Sequence, residues 1–182
     1  MPIRTPTPDQ SPARRIPLFR VTTKNHTVRG QTQAYTVIEH PGAVTIVPER
    51  DGRFALIRQF RTAIDRQILE FPAGTLEPPE APLACAQREL GEEMGLASNQ
   101  WKELGSFFLA PGYSSEFMYI FLARNVYETR EGTSFDPGEE ITPAGWFTLE
   151  ELQAAIRQGV ILDAKTLAAI GYLTWQAGEW GL

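Results

Sequence analysis

The stretch from Gly74 to Leu96, GTLEPPEAPLACAQRELGEEMGL, constrains this chain more than any other. It opens as a loop, because Gly74 admits backbone angles closed to other residues and Pro78-Pro79 block an early helix start. From about Ala81 to Met94 it reads as a helix, with Leu83, Ala86, Leu90 and Met94 spaced as a core-facing stripe. Gly95 then supplies the stop that a C-terminal cap requires. Glu89, Glu92 and Glu93 stand at i, i+3 and i+4, so three carboxylates share one helix face beside that stripe. Such a cluster repels itself unless a cation neutralises it. Oxygen-only donors select a hard divalent ion such as Mg2+ or Mn2+, which keeps waters and takes substrate phosphate. The plainer account is a solvated acidic face in which Arg88 pairs with Glu92 at i+4.

Spacing decides between the two. The stretch fills the template G-x5-E-x7-R-E-U-x-E-E-x-G-U, with U a bulky aliphatic residue, through Gly74, Glu80, Arg88, Glu89, Leu90, Glu92, Glu93, Gly95 and Leu96. In this it resembles the Nudix box, the loop-helix signature of hydrolases acting on nucleoside diphosphates linked to a further group. Gly91 sits at a variable position and costs the helix roughly 1 kcal/mol relative to Ala.

The rest of the chain sets bounds. Its 182 residues fit one domain, and 42% hydrophobic with 10% aromatic residues is a globular composition. A net charge of -5 argues against non-specific nucleic-acid binding. No apolar run approaches a membrane span, and the N-terminus lacks the apolar core of a signal peptide, so a cytoplasmic protein is expected. Cys85 is the only cysteine, which excludes an intrachain disulfide; inside the helix it reads as a packed residue and not a nucleophile. His26 and His40 lack metal-ligand spacing and read as structural.

Residues 1–17, rich in Pro, Thr, Ser and Arg, are expected to form a flexible tail. Residues 18–28 and 33–39 read as strands around a turn at Arg29-Gly30, a small antiparallel layer over 18–42 that precedes the main domain at 43–182. Strands are expected over 43–48 and 54–59 about the hairpin signal Asp51-Gly52, over 67–71, 101–110 and 117–123, and near 145–147 after a polar loop at 128–140. Thr148-Leu149-Glu150-Glu151 is a capping box for a helix ending at Gly159, and Asp163 can cap a last helix with apolar Leu167, Ile170, Leu173 and Trp175. The order predicts an α/β (α+β) protein, a mixed sheet with helices on its faces, and the Nudix resemblance implies the same α/β/α sandwich.

Three segments extend the resemblance to the ADP-ribose pyrophosphatase branch. Glu70-Phe71-Pro72-Ala73-Gly74 resembles its E-x-P-A-G lead-in, which implies the Ala73 carbonyl, Glu89 and Glu93 as metal ligands and Glu92 on a second ion. Glu70 would shape the substrate pocket, or else pair with Arg66 or another cation. Arg58-Gln59-Phe60-Arg61 resembles an RQxR segment whose second arginine lies against the nucleotide, work that suits a planar guanidinium. Pro111-Gly112-Tyr113-Ser114-Ser115-Glu116 resembles a substrate loop, with Ala110 replacing the usual serine; it nominates Pro111, Gly112 and Glu116. The resemblance also implies a catalytic base on the loop Ser134–Glu140, where Glu139 and Glu140 both qualify and Gly138 favours Glu139. The activity implied is Mg2+-dependent cleavage of ADP-ribose to AMP and ribose 5-phosphate, in a homodimer paired through its N-terminal layers. GDP-mannose or another nucleotide sugar is the alternative substrate, and a silent ADP-ribose-sensing domain the non-enzymatic one.

Overall fold

A computed structural model describes residues 19–135 and 140–180, the last four by backbone alone. The expected tail lies outside the described residues. The described elements start with β1 (Arg20–Val28) and β2 (Gln31–Glu39), an antiparallel ribbon tied to the rest of the described fold through a bridge between Ile38 and Ser114. Its turn puts Arg29 at φ 50° and Gly30 at φ 78°, as a two-residue hairpin connection demands. The next hairpin, β3 (Ala43–Arg50) to β4 (Arg53–Arg61), uses Asp51 and Gly52 in the same way, at φ 55° and 72°.

That second hairpin splits. Only Glu49 and Arg50 pair with β4, at Phe54 and Arg53. Beyond them β4 pairs with β5 (Arg66–Glu70), while the start of β3 pairs with β6 (Ala73–Thr75). Phe71 and Pro72 cross the gap, and the Pro72 carbonyl accepts from Ile46 N at 2.9 Å. The chain is thereby delivered to α1 (Pro82–Met94), which Gly95 ends at φ 64°. Short β7 (Leu96–Ala97) leads to β8 (Gln100–Phe108) and β9 (Phe117–Arg124), and β9 runs parallel to β3. Two-residue β10 (Tyr127–Glu128) pairs with β7. Then β11 (Ile141–Phe147) adds to the free side of β4, beginning earlier than the sequence suggests because residues from Ile141 pair against Gln59. The strand path β11-β4-β3-β9-β8 is mixed, as expected.

Alternation along these strands sends side chains into two cores. Val44, Ile46, Phe121 and Ala123 meet Cys85, Ala86 and Leu90 of α1 on one face. On the other, Val47, Phe54, Leu56, Ile120 and Leu122 meet Leu152 of α2 (Leu149–Arg157) and Ala169, Ile170 and Leu173 of α3 (Ala164–Trp180). The result is an α/β/α sandwich. The Thr148 capping box forms in full, with Glu151 N donating to its hydroxyl and its own N–H reaching Glu151 Oε2 at 2.7 Å.

Two expected core positions face outward. Leu83 is exposed because the buried arc of α1 runs through Cys85, Ala86, Leu90 and Glu93, which leaves Leu83 beyond its rim and Met94 half-buried. Trp175 is 76% exposed and stacks edge-on against Tyr172, since Ile170 and Leu173 already fill the face of α3 turned to the sheet.

Candidate active site

The box builds a junction between the loop at β6 and the face of α1. Glu93 is buried, and one of its oxygens accepts from Ala73 N at 3.0 Å. Glu89 lies so close to Gly74 that a Cβ there would stand 1.8 Å from its Oε1. Ala73, Gly74, Glu89 and Glu93 are therefore brought together, and glycine at position 74 is needed for room; it lies in β6 outside the left-handed region, so the backbone freedom expected of it is not what selects it. Gly91 contrasts with it, having nothing within 4 Å of where a Cβ would be.

Arg88 organises the acids. Its Nε and Nη2 donate to the two oxygens of Glu80 at 3.0 and 3.1 Å, and its Nη1 donates to Glu89 and Glu92, both at 2.8 Å. Nη2 also reaches the Thr75 carbonyl at 3.3 Å, which fastens helix to loop. The hydrogen bonds donated to Glu80 raise the guanidinium pKa further against the effect of burial, and Arg88 in turn holds Glu80 below the usual carboxylate range. The expected Arg88–Glu92 pair is thus present inside the fuller box geometry. Burial first, and then the charges of Glu80 and Glu89, push the Cys85 thiol well up, so it is no nucleophile.

These residues suit a hard divalent cation. All the donors are oxygen, and one guanidinium balances three carboxylates at Arg88, with Glu93 beside them. Among the described residues no group of three or more Asp, Glu, His or Cys side chains is placed to hold a metal ion by side chains alone. An open arrangement of this kind fits an ion that retains waters and accepts phosphate oxygens. Glu89, Glu93 and the backbone at Ala73 would hold it, with Glu92 on the more exposed side.

A second cluster lies across the Phe71-Pro72 crossing. Glu70 has no exposed surface, and its Oε2 accepts from Arg61 Nη2 at 2.9 Å and from Lys165 Nζ. The ion pair is therefore with Arg61 and Lys165; Arg66 instead lies opposite Arg61 in the strand register. Lys165 also donates to Asp163 at 2.9 Å, and Asp163 caps α3 through Thr166 N at 3.0 Å. Burial opposes the Asp163 charge, but Lys165 and the bonds from Thr166 outweigh it and hold its pKa below the usual range. Burial likewise works against the Arg61 charge, and Glu70, Asp163 and Glu93 together raise its pKa nonetheless. Arg61 is accordingly within electrostatic reach of the box. Sequence reading missed Lys165 altogether; its signal was a lone lysine two residues after the expected cap Asp163, which says nothing without the fold.

The other nominated residues distribute around this junction. Arg58 is exposed on β4, between Leu69 and Thr142 in register. Pro111 and Gly112 are exposed, and Glu116 half-buried, in the β8–β9 connection. That connection docks on the ribbon, with Ile38 N donating to the Tyr113 carbonyl at 2.7 Å and Ser115 N to the Ile38 carbonyl at 2.9 Å. Glu139 lies outside the described residues. Glu140 is exposed, and its carbonyl accepts from Phe60 N at 3.1 Å, beside Arg61. The loop's other end rests on the box helix: Thr129 N donates to the Gly95 carbonyl and Ser134 N to the Glu92 carbonyl, both at 2.8 Å.

Comparison with known proteins agrees with this geometry. The NUDIX domain family profile matches residues 39–170. An ADP-ribose pyrophosphatase of Bacillus subtilis is 34% identical over 145 residues, 79% of this chain and 78% of its own length. A methanol dehydrogenase activator of Bacillus methanolicus is 32% identical over 148 residues, 81% of this chain and 80% of its own. Among solved structures, an ADP compounds hydrolase superposes with a TM-score of 0.78 at 25% identity, covering 93% of this chain and 92% of the other. With its box intact and its fold shared, the chain belongs to the Nudix family and is a Nudix pyrophosphatase.

Proposed function

We propose that the protein hydrolyses the diphosphate bridge of ADP-ribose, giving AMP and ribose 5-phosphate, with Mg2+ as its ion and Mn2+ as a substitute. The observation that carries this reading is Arg61, partly exposed and hydrogen-bonded to the buried Glu70, which stands three residues before Ala73 beside the box. A guanidinium there can take a phosphate or stack on a base while the diphosphate reaches the box. A divalent ion bound there neutralises phosphate oxygens and lowers the pKa of attacking water. Glu89 and Glu93, steadied by Gly74 and Ala73, hold that ion in place; Glu92 serves a second one. Arg58 flanks the substrate, buried Glu70 shapes the pocket through Arg61, and Pro111, Gly112 and Glu116 complete the nucleotide site from the loop docked on the ribbon.

The proton of the attacking water is taken by a carboxylate of the loop ending at Glu140. Two described hydrogen bonds support the reading, from Ser134 N to the Glu92 carbonyl before the candidate residues and from Phe60 N to the Glu140 carbonyl at the loop's end. Glu139 is the base we favour. In Gln variants of Glu139 and Glu140, one should lose about 100-fold or more in kcat at nearly unchanged KM. If both turn over normally, the base lies elsewhere, and Glu116 is the next candidate.

The ribbon supports a homodimer. Val21, Val28 and Tyr35 are exposed on a two-stranded ribbon, and Phe19 is exposed just before it, while the ribbon's bridge to the rest of the described fold is at Ile38 and Ser114. Sedimentation at micromolar concentration should give twice the 20.4 kDa chain mass; an active 20 kDa species would exclude the dimer. The reaction itself is tested with ADP-ribose, GDP-mannose, ADP-glucose, NADH and diadenosine polyphosphates in the presence of Mg2+. Preference for ADP-ribose supports the assignment, and preference for GDP-mannose replaces it.

A further inference from the structure

Lys165 is a buried ammonium far from the box in sequence, and nothing in the reaction described above uses it. Its setting is specific. It bridges Glu70 and Asp163, while its neighbour Thr166 accepts from Phe71 N at 2.9 Å through the hydroxyl and donates from that hydroxyl to Asp163 at 2.6 Å. The first turn of α3 therefore grips both the side chain that ends β5 and the backbone amide that follows it. Two residues on is Ala73, whose N–H holds Glu93.

Exposure separates the members of this cluster. Glu70 is 0% and Lys165 7% accessible at the side chain, whereas Arg61 is 38%. Arg61 is thus the one cation of the two that can meet a solute. It commits Nη2 to Glu70, and among the described residues its guanidinium makes no other hydrogen bond. Glu70 also keeps one buried oxygen, Oε1, without a partner. An unneutralised buried carboxylate would draw further donors from the nearest cation, because a lone charge in a low-dielectric site is costly. With Lys165 removed, that cation is Arg61.

We propose that Lys165 is a positioning residue for substrate binding: by sharing the charge of Glu70, it leaves Arg61 free to engage the substrate's phosphate or base. The proposal rests on the assignment of Arg61 to the nucleotide site, and predicts a defect in binding and not in the chemical step. Lys165→Met should raise KM for ADP-ribose about tenfold with kcat within about twofold of wild type. Lys165→Arg, which keeps the charge, should restore KM. Because Lys165 acts through Arg61, Lys165→Met should add nothing to KM in an Arg61→Ala background.

The tests separate the two readings. Calorimetric titration of ADP-ribose in EDTA reports affinity without turnover, so it measures Lys165→Met whether or not the reaction assignment is right. Wild type that binds but does not hydrolyse ADP-ribose defeats the proposed reaction alone. Unchanged KM and affinity in Lys165→Met, or additive effects of Lys165→Met and Arg61→Ala, overturn the role of Lys165. If Lys165→Met does not fold, the double variant Glu70→Gln/Lys165→Met is compared with Glu70→Gln. Equal KM in those two supports action through Glu70, and a difference between them overturns it.

Discussion

Two arginine-centred clusters stand on either side of the Phe71–Thr75 segment, and they are opposite in charge balance and exposure. Around Arg88, one guanidinium faces Glu80, Glu89 and Glu92, and Glu92 is 42% accessible. Around Glu70, two cations face two carboxylates, with Glu70 and Lys165 sealed from water. The first cluster is electrically incomplete on a half-open surface and so has capacity for a further cation. The second is neutral within itself and closed. It ties Arg61 and the backbone at Phe71 to the first turn of α3.

The largest effect should come from the incomplete side. Glu93→Gln can still accept from Ala73 N through its amide oxygen, so the fold should persist, while the charge for a cation is lost. Removing a partner that merely supports a metal ligand costs about 10–100-fold, and loss of a ligand should cost at least the upper figure in kcat. Mg2+ titrations of turnover provide the check. Full activity with unchanged Mg2+ dependence in that variant would sink the metal assignment.

Gly74→Ala sharpens the contrast between binding and holding. A Cβ at position 74 would overlap Glu89 Oε1, Cδ and Cγ, all of them movable side-chain atoms. Glu89 must swing away, while the backbone has no reason to rearrange. A displaced catalytic group costs up to about 100-fold, so we expect a 10- to 100-fold loss of kcat/KM with thermal stability close to wild type. An equally active Gly74→Ala would mean that Glu89 does not work from the position seen here.

The two clusters also differ in how readily the sequence betrays them. Glu89, Glu92 and Glu93 are neighbours through helical spacing alone, so the acidic face of α1 was legible, as was the Asp51-Gly52 hairpin. Glu70 and Lys165 are 95 positions apart, and only the sandwich brings α3 to the end of β5. Leu83 misled for a local reason: the buried arc of α1 is drawn toward Glu93, a charged residue that hydropathy patterning places outside. Trp175 misled for the same kind of reason, since two well-placed aliphatic residues suffice to cover that part of the sheet. Whether Glu70 shapes the pocket or pairs with Arg66 or another cation was not decidable from sequence, because its partners Arg61 and Lys165 come from β4 and α3.

The smallest effect should come from the closed cluster, and pH exposes it. One oxygen of Asp163 accepts from Lys165 Nζ, Thr166 N and Thr166 Oγ1. Asn at this position can still cap α3 through its carbonyl oxygen, but it loses the ion pair with Lys165. We expect a loss of about 1.5–3 kcal/mol in denaturant unfolding at pH 7, the range for hydrogen bonds to charged groups. The native pKa of Asp163 lies below its ordinary 3.8, so the folded state favours the ionised form. The associated stability is fully present above the unfolded value and is lost as pH falls through the lowered native one. The gap between wild type and Asp163→Asn should therefore stay constant from pH 7 to about 5 and close progressively below about 4. Turnover of Asp163→Asn at saturating substrate should remain near wild type, because the box is untouched. A gap that persists unchanged to pH 3 would mean that the Asp163 charge contributes nothing, and that the closed cluster is held by capping and packing alone.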